Sequence, residues 1–254
     1  MAQTIFDIGM FDGADTAYYL EEGYRVVAVE ANPELVHKAA EQFAAQITAG
    51  QLDIINAAIS EAAGPVELTL SKDDPASSSI IPQELRGHSI SGTINVEAIR
   101  LDDLIGRYGV PFYMKVDIEG ADRLCILALR PETSPDFLSF EIGDDVVELI
   151  AHLQTIGYGR FKIVSQTSFR ELANQECLED RIRRKLLHWL GFRNPSHIRR
   201  AGRFFRIGSS SGPVPWRGDG RWYGASEARA RMQGARERDQ MRGWHDIHAA
   251  RQRD

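Results

Sequence analysis

Along the first 165 residues, short continuous apolar runs alternate with segments whose apolar residues recur every three or four positions. The runs TIFDIG (4–9), RVVAVEA (25–31) and LDIINAAIS (52–60) read as buried strands, and the segments between them as helices. The first predicted helix extends to about Glu22. The second opens on Asn32 and Pro33 as cap and first helical residue, repeats Leu35, Ala39, Phe43 and Ile47, and ends at Gly50. Strands that are apolar throughout and alternate with helices predict a parallel sheet covered on both faces.

Residues 65 to 100 break the rhythm with PVELTLSK, a polar loop containing Ser77, Ser78 and Ser79, and TINVEAI. This pattern predicts an antiparallel excursion around a loop beside the site. The alternation resumes with helix LDDLIGRYG, strand FYMKVDIEG, a helix from Ala121 to about Leu129, strand FLSFEIG, helix VVELIAHLQTIG and strand RFKIVSQ. FFRIG, residues 204 to 208, is expected to return antiparallel beside that last strand. The predicted organisation is a core over residues 1–167, a basic helical insert over 168–202 containing LEDRIRRKLLHWLGFR, a final core strand over 203–208, and an Arg-rich tail over 209–254.

Charge divides the chain at the same place. The net charge of −6 is the sum of −17 over residues 1–159 (9 Lys and Arg, 26 Asp and Glu) and +11 over residues 160–254 (21 and 10). The two parts are expected to form facing surfaces, within one subunit or between two. The hydrophobic fraction of 43% is that of a globular protein. No run of about 18 apolar residues is present to span a membrane, and no signal-peptide pattern opens the chain, which points to the cytoplasm. Cys125 and Cys177 stand apart without metal-binding spacing, as structural thiols do.

The stretch FDIGMFDGADT, Phe6 to Thr16, joins the first strand to the first helix through Gly9 and Gly13. A glycine loop here, with Glu30 ending the next strand and able to accept two ribose hydroxyls, points to a nucleoside-containing cofactor at the carboxyl edge of the sheet. An ordinary strand-to-helix turn is the structural alternative. The spacing is GxxxG, not the GxGxxG of dinucleotide sites, and Asp7, Asp12 and Asp15 crowd the loop. Carboxylates repel a pyrophosphate but suit a phosphate-free cation. S-adenosylmethionine, with its ammonium and sulfonium, has that character.

The sequence resembles the FkbM-family methyltransferases. DIGMFDGADT is similar to that family's D-x-G-x-x-x-G-x-x-T, VEANP to its VEPNP, NAAIS with Gly64 to its third-strand motif, LDDLI to its LDDLL, and MKVDIEGAD to its KIDVEGAE. The motifs keep the family's order over about residues 4 to 165. Met10 and Phe11 replace a small residue and Asn, Ala31 replaces Pro, and Asp122 replaces Glu. The resemblance implies a Rossmann-like class I methyltransferase fold, a mostly parallel seven-stranded sheet with an antiparallel last strand, and S-adenosylmethionine-dependent O-methylation of a sugar, glycan or related natural product. It also implies that Asp7 and Gly9 line the methionine moiety, Gly13 permits close helix approach, Thr16 sits in the first helical turn, and Asn56 and Ala57 border the adenine. A strand-end turn is the alternative for Asn56. No helix precedes the first strand as a lid, so the basic insert, the tail or a second subunit is expected to close the site.

Within MKVDIEG, period-2 alternation sends Lys115, Asp117 and Glu119 to one side. Asp117 or Glu119 is the candidate base for a hydroxyl acceptor, with Glu141 nearby and Lys115 orienting them; the alternative is an ion pair that fixes the strand end. The same carboxylates have the oxygen chemistry to hold Mg²⁺, and His88 is a further candidate base. The basic helix around Arg181, Arg183, Arg184 and Lys185 suits core packing, peripheral membrane contact or an anionic acceptor. Nucleic acid is a rival partner, through Trp189, Phe192, Phe204, Phe205 and Trp222, although the acidic core opposes it. A non-catalytic scaffold that retains the cofactor pocket is a second rival.

Overall fold

The computed structural model describes residues 2–72, 78–82, 89–172, 197–207, 210–237 and 244–252. The expected alternation is present: β1 (Thr4–Ile8), α1 (Ala14–Glu21), β2 (Arg25–Glu30), α2 (Pro33–Gln42), α3 (Ala44–Thr48) and β3 (Leu52–Asn56). Asn32 caps α2, its side chain accepting from the Glu34 N–H, and Pro33 fills the first helical position. The single helix expected as far as Gly50 is instead broken at Phe43. There the ring lies against Gly13, where a Cβ would come within 2.7 Å of it.

The excursion consists of β4 (Ala58–Ile59), β5 (Gly64–Ser71) and β6 (Ile90–Ile99), a separate three-stranded sheet in the order β4-β6-β5. Next come α4 (Leu101–Tyr108), β7 (Tyr113–Val116), α5 (Asp122–Ala128), β8 (Phe137–Glu141), α6 (Val146–Thr155) and β9 (Tyr158–Ser165). The C-terminal part supplies β10 (His197–Arg200), β11 (Arg203–Arg206), α7 (Ala225–Glu237) and β12 (His245–Arg251). The main sheet runs β3-β2-β1-β7-β8-β12-β9, all parallel except β12, which lies antiparallel between β8 and β9. This is a Rossmann-like, class I methyltransferase arrangement of seven strands.

The final strand is not the one expected. FFRIG contributes β11 to a two-stranded hairpin with β10, and the seventh strand comes from the tail, as HDIHAAR. The reason is side-chain alternation. In β12, Ile247 and Ala249 face the apolar core while His248 pairs in register with Ser139 and Lys162. In β11 only Phe205 is buried, against Tyr18 and Phe169, and Phe204 is 71% exposed.

The two faces of the sheet differ. One is apolar: Phe6, Ile8, Val29, Met114, Leu138, Phe140 and Ile247 pack on Leu104 of α4, Ile126 of α5, Leu149 and Leu153 of α6, and Met232 of α7. The other carries a buried polar row across five strands, Asp7, Lys115, Ser139, His248 and Lys162, each in register with the next. A segment of the C-terminal part covers it, Lys162 Nζ donating to the Pro215 and Gly218 carbonyls at 2.9 and 3.0 Å. Burial draws Lys162 down to about 8 and, with Lys162 beside it, His248 down to about 3, so His248 is neutral.

Part of the charge division is met by contacts within the chain. Arg203 bridges Glu21 and Glu22, Arg217 also holds Glu22, and Arg206 holds Asp12 at 3.0 Å, so the basic C-terminal part docks on the acidic first helix and loop. The basic sequence 173–196, with Cys177, Arg181, Trp189 and Phe192, lies outside the described residues, as does His88. Among the described residues, no helix is long and apolar enough to cross a membrane.

Removing residues 238–254 takes out a strand from inside the sheet, and the truncated chain is expected to lose its cooperative urea transition. Phe204→Ala, on an exposed side chain, is expected to move stability by less than about 0.5 kcal/mol in the same measurement.

Candidate active site

At the carboxyl edge of β1, β2, β3 and β7 lies an open cleft. Its floor comes from Gly9 and Phe11 of the first loop, one side from Glu30, Ala31 and Ala57, and the other from Asp117, Ile118, Glu119 and Ala121. Leu68, Ser78, Ser79 and Ile80 of the excursion form the facing wall. The excursion therefore borders the cleft, as its interruption of the strand–helix rhythm led one to expect. Ser79 fixes that wall: its hydroxyl donates to the Glu119 carbonyl at 2.7 Å.

Gly9 is required by backbone contact. At φ 83° it passes so close to the β7 exit that a Cβ would stand 1.8 Å from the Asp117 carbonyl oxygen. The floor continues through Met10, buried in the core, and Phe11, held at φ 51°. A left-handed conformation is costly for Phe and far easier for Asn. The Phe11 N–H donates to Glu30 Oε2 at 2.9 Å, and the Asn32 N–H to Oε1 at 2.8 Å. These bonds aim the carboxylate and leave each oxygen further lone pairs for hydroxyl donors. Burial raises the Glu30 carboxyl, the two N–H donors opposing it.

Behind the floor, Lys115 is 4% exposed and surrounded by carboxylates. Its Nζ stands 3.5 Å from Asp7 Oδ1, 3.4 Å from Asp15 Oδ2 and 3.4 Å from Asp117 Oδ2, and donates to the Gly9 carbonyl at 3.1 Å. Burial disfavours this ammonium, but the three carboxylates outweigh it and hold Lys115 well above its usual range. Asp7 is raised to about 6 by burial, with Lys115 and the Thr16 hydroxyl, 2.6 Å from Oδ2, acting against the shift. Asp15 accepts from the Ser210 hydroxyl and, at 2.9 Å, from the Ser211 N–H, which ties the C-terminal segment to the same cluster.

The expected residues therefore divide. Gly9, Glu30, Ala57, Asp117 and Glu119 line the cleft. Asp7 and Thr16 are buried behind it, Asp7 beside Lys115 and accepting from the Thr16 hydroxyl. Gly13 caps α1 and receives Phe43. Asn56 donates to the Glu30 and Ala31 carbonyls, a strand-end tie. The aspartates expected to crowd the ligand are otherwise engaged: Asp12 binds Arg206 and the Ala14 N–H, and Asp7 and Asp15 bind Lys115. The carboxylates on the cleft wall are Glu30, Asp117 and Glu119.

The strand containing Lys115 stops at Val116, so the period-2 alternation does not extend to Glu119, which is turned by φ 50°. Asp122, in the motif but assigned no role from sequence, shapes this turn by accepting from the Ile118 N–H at 3.0 Å. It is raised to about 7 by burial and then by Asp117. Among the described residues, no group of three or more His, Cys, Asp or Glu side chains has the arrangement of a metal site. Of the aromatics suited to base stacking, Phe205 is in the core and Trp222 covers Lys162 at 4.4 Å.

The sequence model of the methyltransferase FkbM domain matches residues 7–158. No curated protein matches the chain. Among solved structures, precorrin-6y C5,15-methyltransferase from Geobacter metallireducens aligns at 14% identity over 67% of this chain and 72% of its own, with a TM-score of 0.34. A SAM-dependent methyltransferase from Thiobacillus denitrificans, in complex with S-adenosylhomocysteine, aligns at 11% over 99% and 86%, with a TM-score of 0.34. Phosphoethanolamine N-methyltransferase 2 from Haemonchus contortus aligns at 10% over 100% and 49%, with a TM-score of 0.36. Structural similarity this low has no bearing on the activity of the chain.

Two substitutions test the electrostatics. Lys115→Met leaves buried carboxylates unpaired and is expected to cost about 3–5 kcal/mol at pH 8 in urea unfolding, and less at pH 5, where Asp7 takes up a proton. Asp122, whose folded pKa lies above its unfolded value, binds more proton folded than unfolded between about pH 4 and 7. Its stabilising proton is present below that window and lost as pH rises through it. Asp122→Asn keeps an acceptor for the Ile118 N–H, and is expected to flatten the fall in stability from pH 5 to pH 8 by roughly 2–4 kcal/mol.

Proposed function

We propose that the chain, which belongs to the FkbM methyltransferase family, transfers the methyl group of S-adenosylmethionine to a hydroxyl of a sugar, glycan or related natural product. The observation that carries the cofactor reading is the cleft itself: a glycine-floored pocket at the carboxyl edge of β1 and β2, with the oriented Glu30 carboxylate on one side and Asp117 on the other. Glu30 suits the ribose diol, because a carboxylate only accepts and the diol presents two donors. Ala31, Leu35, Ala57 and Ile59 offer an apolar slot for adenine. Asp117 suits a cationic sulfonium, and among the described residues no lysine or arginine lines the cleft to receive a pyrophosphate.

Methyl transfer from a sulfonium requires in-line approach of the nucleophile, so much of the rate comes from positioning. Asp117, partly exposed and held by Lys115 at 3.4 Å, is the favoured proton acceptor for the attacking hydroxyl. Lys115, as a positioning residue, fixes its carboxylate. Glu119 lines the same wall and is the second candidate. The engagement of Arg203, Arg206 and Arg217 with the chain's own carboxylates favours a small acceptor over nucleic acid.

Calorimetry provides the test. S-adenosylhomocysteine is expected to bind and NAD to give no heat, and Glu30→Ala is expected to weaken S-adenosylhomocysteine at least ~10-fold, about the worth of one or two hydrogen bonds to a charged group. Equal affinity in Glu30→Ala and the parent would sink the ribose assignment.

A further inference from the structure

Among the described residues, four that are not glycine hold the left-handed backbone region: Phe11 at φ 51°, Glu119 at 50°, Phe169 at 53° and Ala201 at 46°. Two of them have a structural reason. Ala201 forms with Gly202 the two-residue turn between the paired Arg200 and Arg203, and such hairpin turns call for positive φ at both central positions. Phe169 is 2% exposed and packs its ring on Phe205, so core burial offsets its backbone cost. The remaining two, Phe11 and Glu119, line the cleft.

Phe11 gains no comparable packing. It is partly buried, and among the described residues it belongs to none of the three apolar clusters, although its neighbour Met10 does. Its backbone is nevertheless pinned. The Phe11 N–H donates to Glu30 Oε2 at 2.9 Å, and Gly9, two residues earlier, is held against the Asp117 carbonyl. A bulky residue kept in a costly conformation on a cleft wall, outside the core, points to what enters the cleft. In sheet order the loop after β1 stands between β2, which ends in Glu30, and β7, which leads to Asp117. With Glu30 on the ribose hydroxyls, the sulfur joined to that ribose belongs to the stretch between the two carboxylates, which Gly9 and Phe11 line.

We propose that the Phe11 ring is a specificity-determining wall of the donor site, which meets the charged sulfur of S-adenosylmethionine and makes the cleft favour the donor over S-adenosylhomocysteine. The inference rests on the methyl-transfer function proposed for the chain. An aromatic face attracts a cation and gains less from a neutral thioether. A sulfonium has no N–H or O–H to donate, so an aromatic face and a carboxylate are the groups suited to it. In the transfer, a lone pair of the acceptor hydroxyl forms the new O–CH₃ bond, the S–CH₃ bonding pair stays on sulfur, and the hydroxyl proton passes to Asp117. Sulfur is left uncharged, so the attraction to the ring ends with the reaction and release of the product is favoured. Asp117 acts on the same charge from the β7 side, so Phe11 supplies part of the preference.

The test is calorimetry on the full chain, with S-adenosylmethionine and S-adenosylhomocysteine each titrated into the parent and into variants at position 11. The parent is expected to bind S-adenosylmethionine more tightly. Phe11→Leu keeps an apolar side chain without the aromatic face, and is expected to lower that preference at least ~3-fold, the scale of a partly exposed cation–π contact. Phe11→Tyr is expected to retain it. Phe11→Asn, which takes the left-handed conformation readily, is expected to lose the preference as Phe11→Leu does and to unfold at a urea concentration no lower than the parent. Equal affinity of the parent for the two ligands, a preference unchanged in Phe11→Leu, or both affinities lowered there by the same factor would overturn the assignment. A urea midpoint for Phe11→Asn well below that of the parent would also overturn it, by making the ring a packing residue. Failure of both ligands to bind the parent would instead overturn the cofactor reading itself, and the role of Phe11 with it.

Discussion

The ammonium of Lys115 is the charge on which the site is assembled. It lies in the middle strand of a sheet covered on both faces, where an unpaired charge is prohibitively expensive, and it is compensated by carboxylates from three different elements, β1, α1 and the β7 exit. Each partner does a second job. Asp7 holds Thr16 in the first turn of α1, Asp15 receives the C-terminal segment, and Asp117 reaches the cleft. The fourth contact, to the Gly9 carbonyl, joins the ammonium to the loop that forms the cleft floor. One buried cation thus fixes the first strand, the first helix and the exit of the fourth core strand relative to one another.

The floor and the β7 exit also meet directly. The Asp117 carbonyl occupies the space a side chain at Gly9 would need, while the Asp117 N–H donates to the Ile8 carbonyl at 2.9 Å. Backbone contact this close sets where the Asp117 carboxylate can stand, and the adjacent turn is held by Asp122 from one side and Ser79 from the other. The excursion does more than lengthen the chain between β3 and α4. It supplies the cleft's facing wall, and it is joined to the catalytic candidates through the Glu119 carbonyl.

The polar row across the second face explains why so much of the C-terminal part is committed to the core. A row containing two lysines and a histidine cannot be covered by apolar helices alone. Instead, the carbonyls of Pro215 and Gly218 and the indole of Trp222 cover Lys162, Trp216 packs among Tyr24, Phe112, Tyr113 and Phe137, and the Ser210–Ser211 turn reaches Asp15. The arginines of the hairpin and the adjoining loop then meet the acidic residues of α1 and its loop. The opposite charges of the two parts of the chain are expressed here as an intramolecular fit.

Much of the core was legible in the sequence because strands buried on both faces must be continuously apolar and their helices must carry an apolar stripe, whatever the tertiary detail. Gly9, Glu30 and Asp117 were legible for a similar reason: a glycine where the backbone must pass closely, and carboxylates at strand ends. The seventh strand was not, because HDIHAAR reads as polar until its alternate residues are seen on a face that is itself polar. The same holds for Asp7 and Asp15, which look like ligand-facing acids by their place in the loop and become partners of a lysine about a hundred positions away. The sequence alone determined which segments of the first 165 residues had to be strands and which loop needed glycine freedom, since those follow from local burial and backbone conformation. Only the tertiary structure decided which carboxylates face the cleft, which neutralise Lys115 and which segment closes the sheet, because a buried charge is satisfied by whatever the fold brings within reach.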